Sequence, residues 1–345
     1  MKNMNFEKIY SFLIGNKIVS FVIYSLKQVI GVFKDDQSKF RLITAFKMAG
    51  IPFLSLIILC TFLWLLLRLN LVFFEANGYS GFVELKEAYY ERTFYALGEL
   101  ASYFGFFLIL NVFMGIYVSD LLLRPFRIIS EYCEKEVESG DAVYDPDFFS
   151  DLKLLTGISE YFINVMDNAK INGKLYPTKV PYKFTRIHRP VFEKGFFIQF
   201  SFFIFITSIC AAIGIYVIIV DTYTNIVQLS ITSLKSAPAL NYFFKEQTVI
   251  FESILVGVMV AHVLLSILLS VNLYSKVAGP AFGFFATMRS FLKGAYRSRV
   301  HLVGYYYLRP YSRSINKYLE HLDKNILKEV DVTCDESKRK KKDHK

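Results

Sequence analysis

The chain has 345 residues, of which 54% are hydrophobic, and it holds 35 Phe and 23 Tyr with a mean hydropathy of +0.36, values that argue against an ordinary soluble enzyme of two or three domains. Its net charge of +10 is not accompanied by any nucleic-acid recognition motif, so nucleic acid is set aside as a partner. The four cysteines (Cys60, Cys133, Cys210 and Cys334) show no C-x-x-C spacing, which excludes a zinc signature and a disulfide framework.

Residues 1–47 come first. Phe12, Leu13, Ile18, Phe21, Val22, Leu26, Val29 and Ile30 recur at helical spacing, interrupted by Lys17 and Lys27, and no small-residue cleavage site follows. This predicts an amphipathic helix, either lying in the headgroup layer or packed on the cytoplasmic part of the protein. Four runs without Asp, Glu, Lys or Arg then appear: Met48 to Leu67, Leu100 to Ser119, Gly195 to Val220 and Ser253 to Ser275. They hold 20, 20, 26 and 23 residues, and a bilayer core needs about 20. Four transmembrane helices are predicted, as one pair over 48–119 and a second over 195–275.

The flanking charges orient them. Lys34, Lys39, Arg41 and Lys47 precede the first run, and residues 120–194 carry many more basic residues. The segments 68–99 and 221–252 carry few Lys or Arg, and the first is rich in Glu. The positive-inside rule therefore predicts both termini on the cytoplasmic side, with two short outside loops. The basic end, KRKKKDHK (338–345), reads as part of a disordered tail over 327–345, drawn to anionic lipid or simply solvated.

Each half reads as a basic segment, a span, an outside loop, a span and then a proline before an amphipathic cytoplasmic stretch, which predicts an internal repeat. In the second half, Gly279-Pro280 leads to Phe284, Met288, Phe291 and Leu292 at three-to-four spacing. A connector with Gly294 and Arg299-Val300 follows, and then Leu308, Tyr311, Ile315, Tyr318 and Leu322 at heptad spacing, with Asn316 among them. Pro310 fits only in the first turn of that second helix. Residues 276–326 so patterned resemble the HAMP linker of bacterial chemoreceptors and sensor kinases, with Tyr306-Tyr307 where that family carries an acidic pair. In the first half, Pro125 leads to Phe126, Ile129, Cys133 and Val137, then Gly140-Asp141. Leu155, Ile158, Phe162 and Val165 form a second seam with Asn164 near its end. By itself this is an amphipathic hairpin; as the partner of the second unit, residues 120–167 resemble a degenerate HAMP unit. A generic helix break at the membrane surface is the other reading of both prolines.

The predicted fold is thus all-α: a polytopic membrane protein with four transmembrane helices in two repeats, each followed by a HAMP-like helical hairpin, the two joined by a cytoplasmic linker over 168–194. The resemblance implies a bacterial inner-membrane location and a parallel four-helix bundle. The bundle is expected to form within one chain as a pseudo-dimer, or else between chains of a homodimer, with Ile129 and Phe284, each four residues after its proline, in one layer.

His262 lies inside the fourth run, with Asn111, Gln199 and Asp221 as candidate polar company. An ionisable group at that depth points either to a neutral imidazole bonded across helices or to a proton-linked role. No phosphate loop, zinc motif, nucleophile elbow or cofactor motif appears, so no enzyme is expected. The leading functional reading is a signal-relay or scaffold protein acting on a separate cytoplasmic signalling protein. A structural membrane-organising protein and a small transporter or channel are the alternatives.

Overall fold

The computed structural model describes residues 35–78, 82–146, 152–234 and 238–340, with side chains described up to Lys324. The stripe over residues 12–30 lies outside the described residues. Six long helices and one short one account for most of the rest: α1 (Asp36–Ala76), α2 (Phe82–Ser139), α3 (Lys153–Asn172), α4 (Tyr182–Thr185), α5 (Lys194–Ser233), α6 (Pro238–Leu292) and α7 (Arg309–Lys340). A single 3-10 turn, Tyr306–Leu308, leads into α7, and no strand occurs among the described residues.

Four of these helices, α1, α2, α5 and α6, are long and apolar enough to cross a membrane. α5 is rich in Ile, Val and Phe, which are indifferent helix formers in water. In a bilayer the constraint changes: every backbone N–H and C=O must be satisfied within the segment, and only a helix does that for a single span. The chain is therefore built as a multi-pass membrane protein. α1 begins at an Asp35 cap whose carboxylate accepts from Ser38 N at 2.9 Å and from the Ser38 hydroxyl at 2.7 Å. Those bonds hold the Asp35 carboxyl below its ordinary range.

The helices outrun the apolar segments. α2 has 58 residues and α6 has 55, or roughly 85 Å each at 1.5 Å per residue, against a hydrocarbon core of about 30 Å. The segments expected as outside loops are consequently helical: α1 continues to Ala76 and α2 starts at Phe82, while α5 continues to Ser233 and α6 starts at Pro238. Residues 36–47 likewise belong to α1 and not to a separate N-terminal element. The tail expected to be disordered is helical to Lys340, its Lys, Glu and Arg content suiting a helix.

Two apolar clusters hold the molecule together. One fills the end remote from residue 140 and includes Leu59, Phe74, Leu85, Phe104, Ile226 and Phe251. The other runs from the opposite ends of the spans into the region formed by α3, α7 and the extensions of α2 and α6. Between them, at mid-span, all four membrane helices contribute buried polar residues: Ser55, Asn111, Thr207, Ser208, His262 and Ser266. A polar belt thus divides the two cores.

Candidate functional site: the junction of spans and bundle

Neither α2 nor α6 stops at its proline. Pro125 and Pro280 both lie inside uninterrupted helices, so each span and the helix after it are one element. α2 ends at Ser139 and α6 at Leu292, followed by Gly140 (φ +75°) and Gly294 (φ +97°), left-handed positions that a side chain would strain. Each unit is therefore helix, connector, helix, with the second helices α3 and α7. Pro310 falls in the first turn of α7, where no helical donor is lost.

The register of the contacts gives the direction of the helices. Along α2 and α3, the Tyr132 hydroxyl donates to Asp167 at 3.3 Å, and farther on Glu136 pairs with Lys170. Along α3 and α6, Ser159 lies 3.5 Å from Met288 Sδ and the Phe162 and Phe291 rings are 5.8 Å apart. Along α2 and α7, Arg127 meets Tyr311 and then Tyr132 meets Tyr318, rings 5.9 Å apart. Residue numbers rise together on both members of every pair, so the four helices are parallel. Among these four helices the most extensive contacts cross between units, α2 with α7 and α3 with α6. Phe126, Ile129, Phe162, Phe284, Phe291, Ile315 and Tyr318 are buried in their common core.

Near the spans the two units meet through aromatic side chains. Phe284 packs edge-to-face against Phe126, with ring centroids 5.3 Å apart, and Ile129, expected in its layer, is buried in the same core. Burial raises the hydroxyls of Tyr311 and Tyr318 above the ordinary phenol value.

Distinct polar contacts tie each connector down. In the second unit Asn316 accepts from Val300 N at 2.8 Å and donates to Val300 O at 3.1 Å, a reciprocal bond between α7 and the connector. Arg299 donates to the carbonyls of Tyr296 and Ser298 at 2.8 and 2.9 Å and reaches Asp323. In the first unit the matching Asn164 is exposed. Its place is taken by buried Glu136, which accepts from Ala142 N at 3.1 Å and pairs with Lys170. Glu136 was missed in sequence because a carboxylate in an acidic helix end looks solvated.

Gly279-Pro280 does not open a break; it seats the connector. Proline removes the donor that would bond the carbonyl four residues back, that of Lys276. Tyr307 supplies the missing donor, its hydroxyl 2.9 Å from Lys276 O, while its ring stacks on Phe40 of α1 at 4.2 Å. A Cβ on Gly279 would stand 2.9 Å from the Tyr305 hydroxyl. Beside this joint, Asp120 of α2 accepts from Arg41 of α1 at 2.8 Å and also from Arg127. The junction therefore joins α1, both unit-bearing spans and α7.

The linker after α3 is fastened as well. The Glu193 carboxylate accepts from Lys153 N and Leu154 N at 2.5 and 2.8 Å, capping α3 from 40 residues away. Arg289 of α6 donates to Ile187 O at 2.7 Å, and Thr178 N donates to the α6-terminal carbonyl of Leu292 at 2.8 Å.

In the polar belt, His262 is fully buried, with Nδ1 2.8 Å from Ser55 Oγ and Nε2 2.8 Å from Ser208 Oγ. Its partners are thus serines of α1 and α5. Asn111 donates to Phe107 O of its own helix at 2.8 Å, and Asp221 accepts from Asn225 at 2.9 Å. Farther along the spans Asn70 and Gln247 exchange amide hydrogen bonds of 3.1 and 2.6 Å. Comparison of the chain with protein-family models, curated proteins and solved structures finds no match in any of the three.

Proposed function

We propose that this chain is a bacterial inner-membrane protein that relays helix movement from its spans, through two HAMP-like units paired within the chain, to a separate cytoplasmic signalling protein. The supporting observation is continuity. Because α2 and α6 are unbroken from membrane into bundle, a displacement of either span is a displacement of a bundle helix. Cross-unit packing then requires α3 and α7 to follow. The Lys and Arg bias supports a cytoplasmic bundle; an impermeant maleimide should reach a cysteine at Glu84 from outside and not one at Lys174.

The relay is tested with spin labels on the exposed residues Lys135 of α2 and Arg313 of α7, in full-length protein with its native cysteines replaced. Thin and thick bilayers change span tilt through hydrophobic mismatch. The relay predicts that the inter-label distance distribution shifts between the two. An unchanged distribution would reject the relay and leave the bundle as a static scaffold.

A further inference from the structure

At the junction the side chains of two lysines approach one another. Lys47 of α1 immediately precedes the charge-free run that starts at Met48, and Lys276 of α6 immediately follows the run that ends at Ser275. Both therefore stand at the level where hydrocarbon gives way to headgroups. α1 and α6 pack together, and the two side chains lie within hydrogen-bonding reach of one another. An ammonium group donates three hydrogen bonds and accepts none, so this pair has no acceptor of its own. Asp120, the carboxylate beside the joint, is engaged with Arg41 and Arg127. Among the described residues no carboxylate pairs with either lysine.

We propose that Lys47 and Lys276 together bind the phosphate of an anionic phospholipid. A phosphate diester offers two charged oxygens, one for each ammonium, and charge-assisted bonds of this kind are the strong ones. Free phosphate shares that chemistry, but the surroundings favour a lipid. Ile43 and Phe46, beside Lys47, are 39% and 61% exposed, and they offer an apolar surface to an acyl chain next to that lysine. The site adjoins the bond between Tyr307 and the Lys276 carbonyl, so an occupied site clamps α1 to α6 where the connector is seated. This inference does not depend on the relay reading.

The test is native mass spectrometry of the detergent-solubilised full chain, titrated separately with phosphatidylglycerol, phosphatidylcholine and inorganic phosphate. Phosphatidylglycerol should bind as one retained lipid per chain, more tightly than phosphatidylcholine. Lys47→Gln with Lys276→Gln should weaken it about thirtyfold, the change that corresponds to about 1 kcal/mol per basic residue at an anionic surface. The control double variant Lys39→Gln with Lys317→Gln removes the same charge from exposed positions and should bind like the parent. Equal weakening in both variants would mean diffuse attraction and overturn the site. Retention of phosphate without preference for phosphatidylglycerol would overturn the lipid assignment.

Discussion

His262 can serve either serine in either tautomer, because the hydroxyls of Ser55 and Ser208 both donate and accept. Its removal is softened by the serines' other partners: Ser55 Oγ donates to Ile51 O of its own helix at 3.1 Å, and Ser208 Oγ lies 2.6 Å from Ser266 Oγ of α6. His262→Asn is therefore expected to keep a cross-helix bond and melt within a degree or two of the parent in detergent. His262→Leu should lose about 1 kcal/mol. A large loss of function for His262→Asn at normal protein level would point to proton transfer instead. The histidine stood out in the sequence because ionisable groups are rare in apolar runs. Its serine partners did not, since serines sit in such runs for many reasons and only packing reveals which ones face inward.

At the scale of elements, the joint at Pro280 makes a sharper claim. The Tyr307 hydroxyl matters because the proline leaves Lys276 O without its helical donor. Tyr307→Phe keeps the stack on Phe40 but loses that bond, and thermal unfolding should show a cost of about 1 kcal/mol. In the Pro280→Ala background a backbone N–H can reach the same carbonyl, so Tyr307→Phe should then cost almost nothing. A double-mutant cycle measures this coupling; equal costs in both backgrounds would show that Tyr307 acts only through its ring. The spans were legible from charge-free runs, yet helix ends were not. Polar segments rich in Glu, Lys and Leu continue a helix as readily as they form a loop, which is why the segments expected as outside loops and the tail proved helical. The Gly-Pro pair likewise marked the place but not its role, since the tyrosine that completes it lies 27 residues along the chain.

For the whole molecule, prolines, heptad seams and Gly140 and Gly294 made two helical units readable, because each is a local pattern. Their interlocking was not readable. Which helix leans on which, and the use of Glu136 where the second unit uses Asn316, are decided by contacts between distant segments. The central claim is that both units form one parallel bundle within a single chain, and the contact between Glu134 of α2 and Ser314 of α7, 2.5 Å apart, reports on it directly. With Cys60, Cys133, Cys210 and Cys334 replaced, Glu134→Cys plus Ser314→Cys should oxidise to a disulfide inside a monomer-sized band on non-reducing gels. Covalent dimers as the only oxidised product would place the bundle between chains and contradict the account.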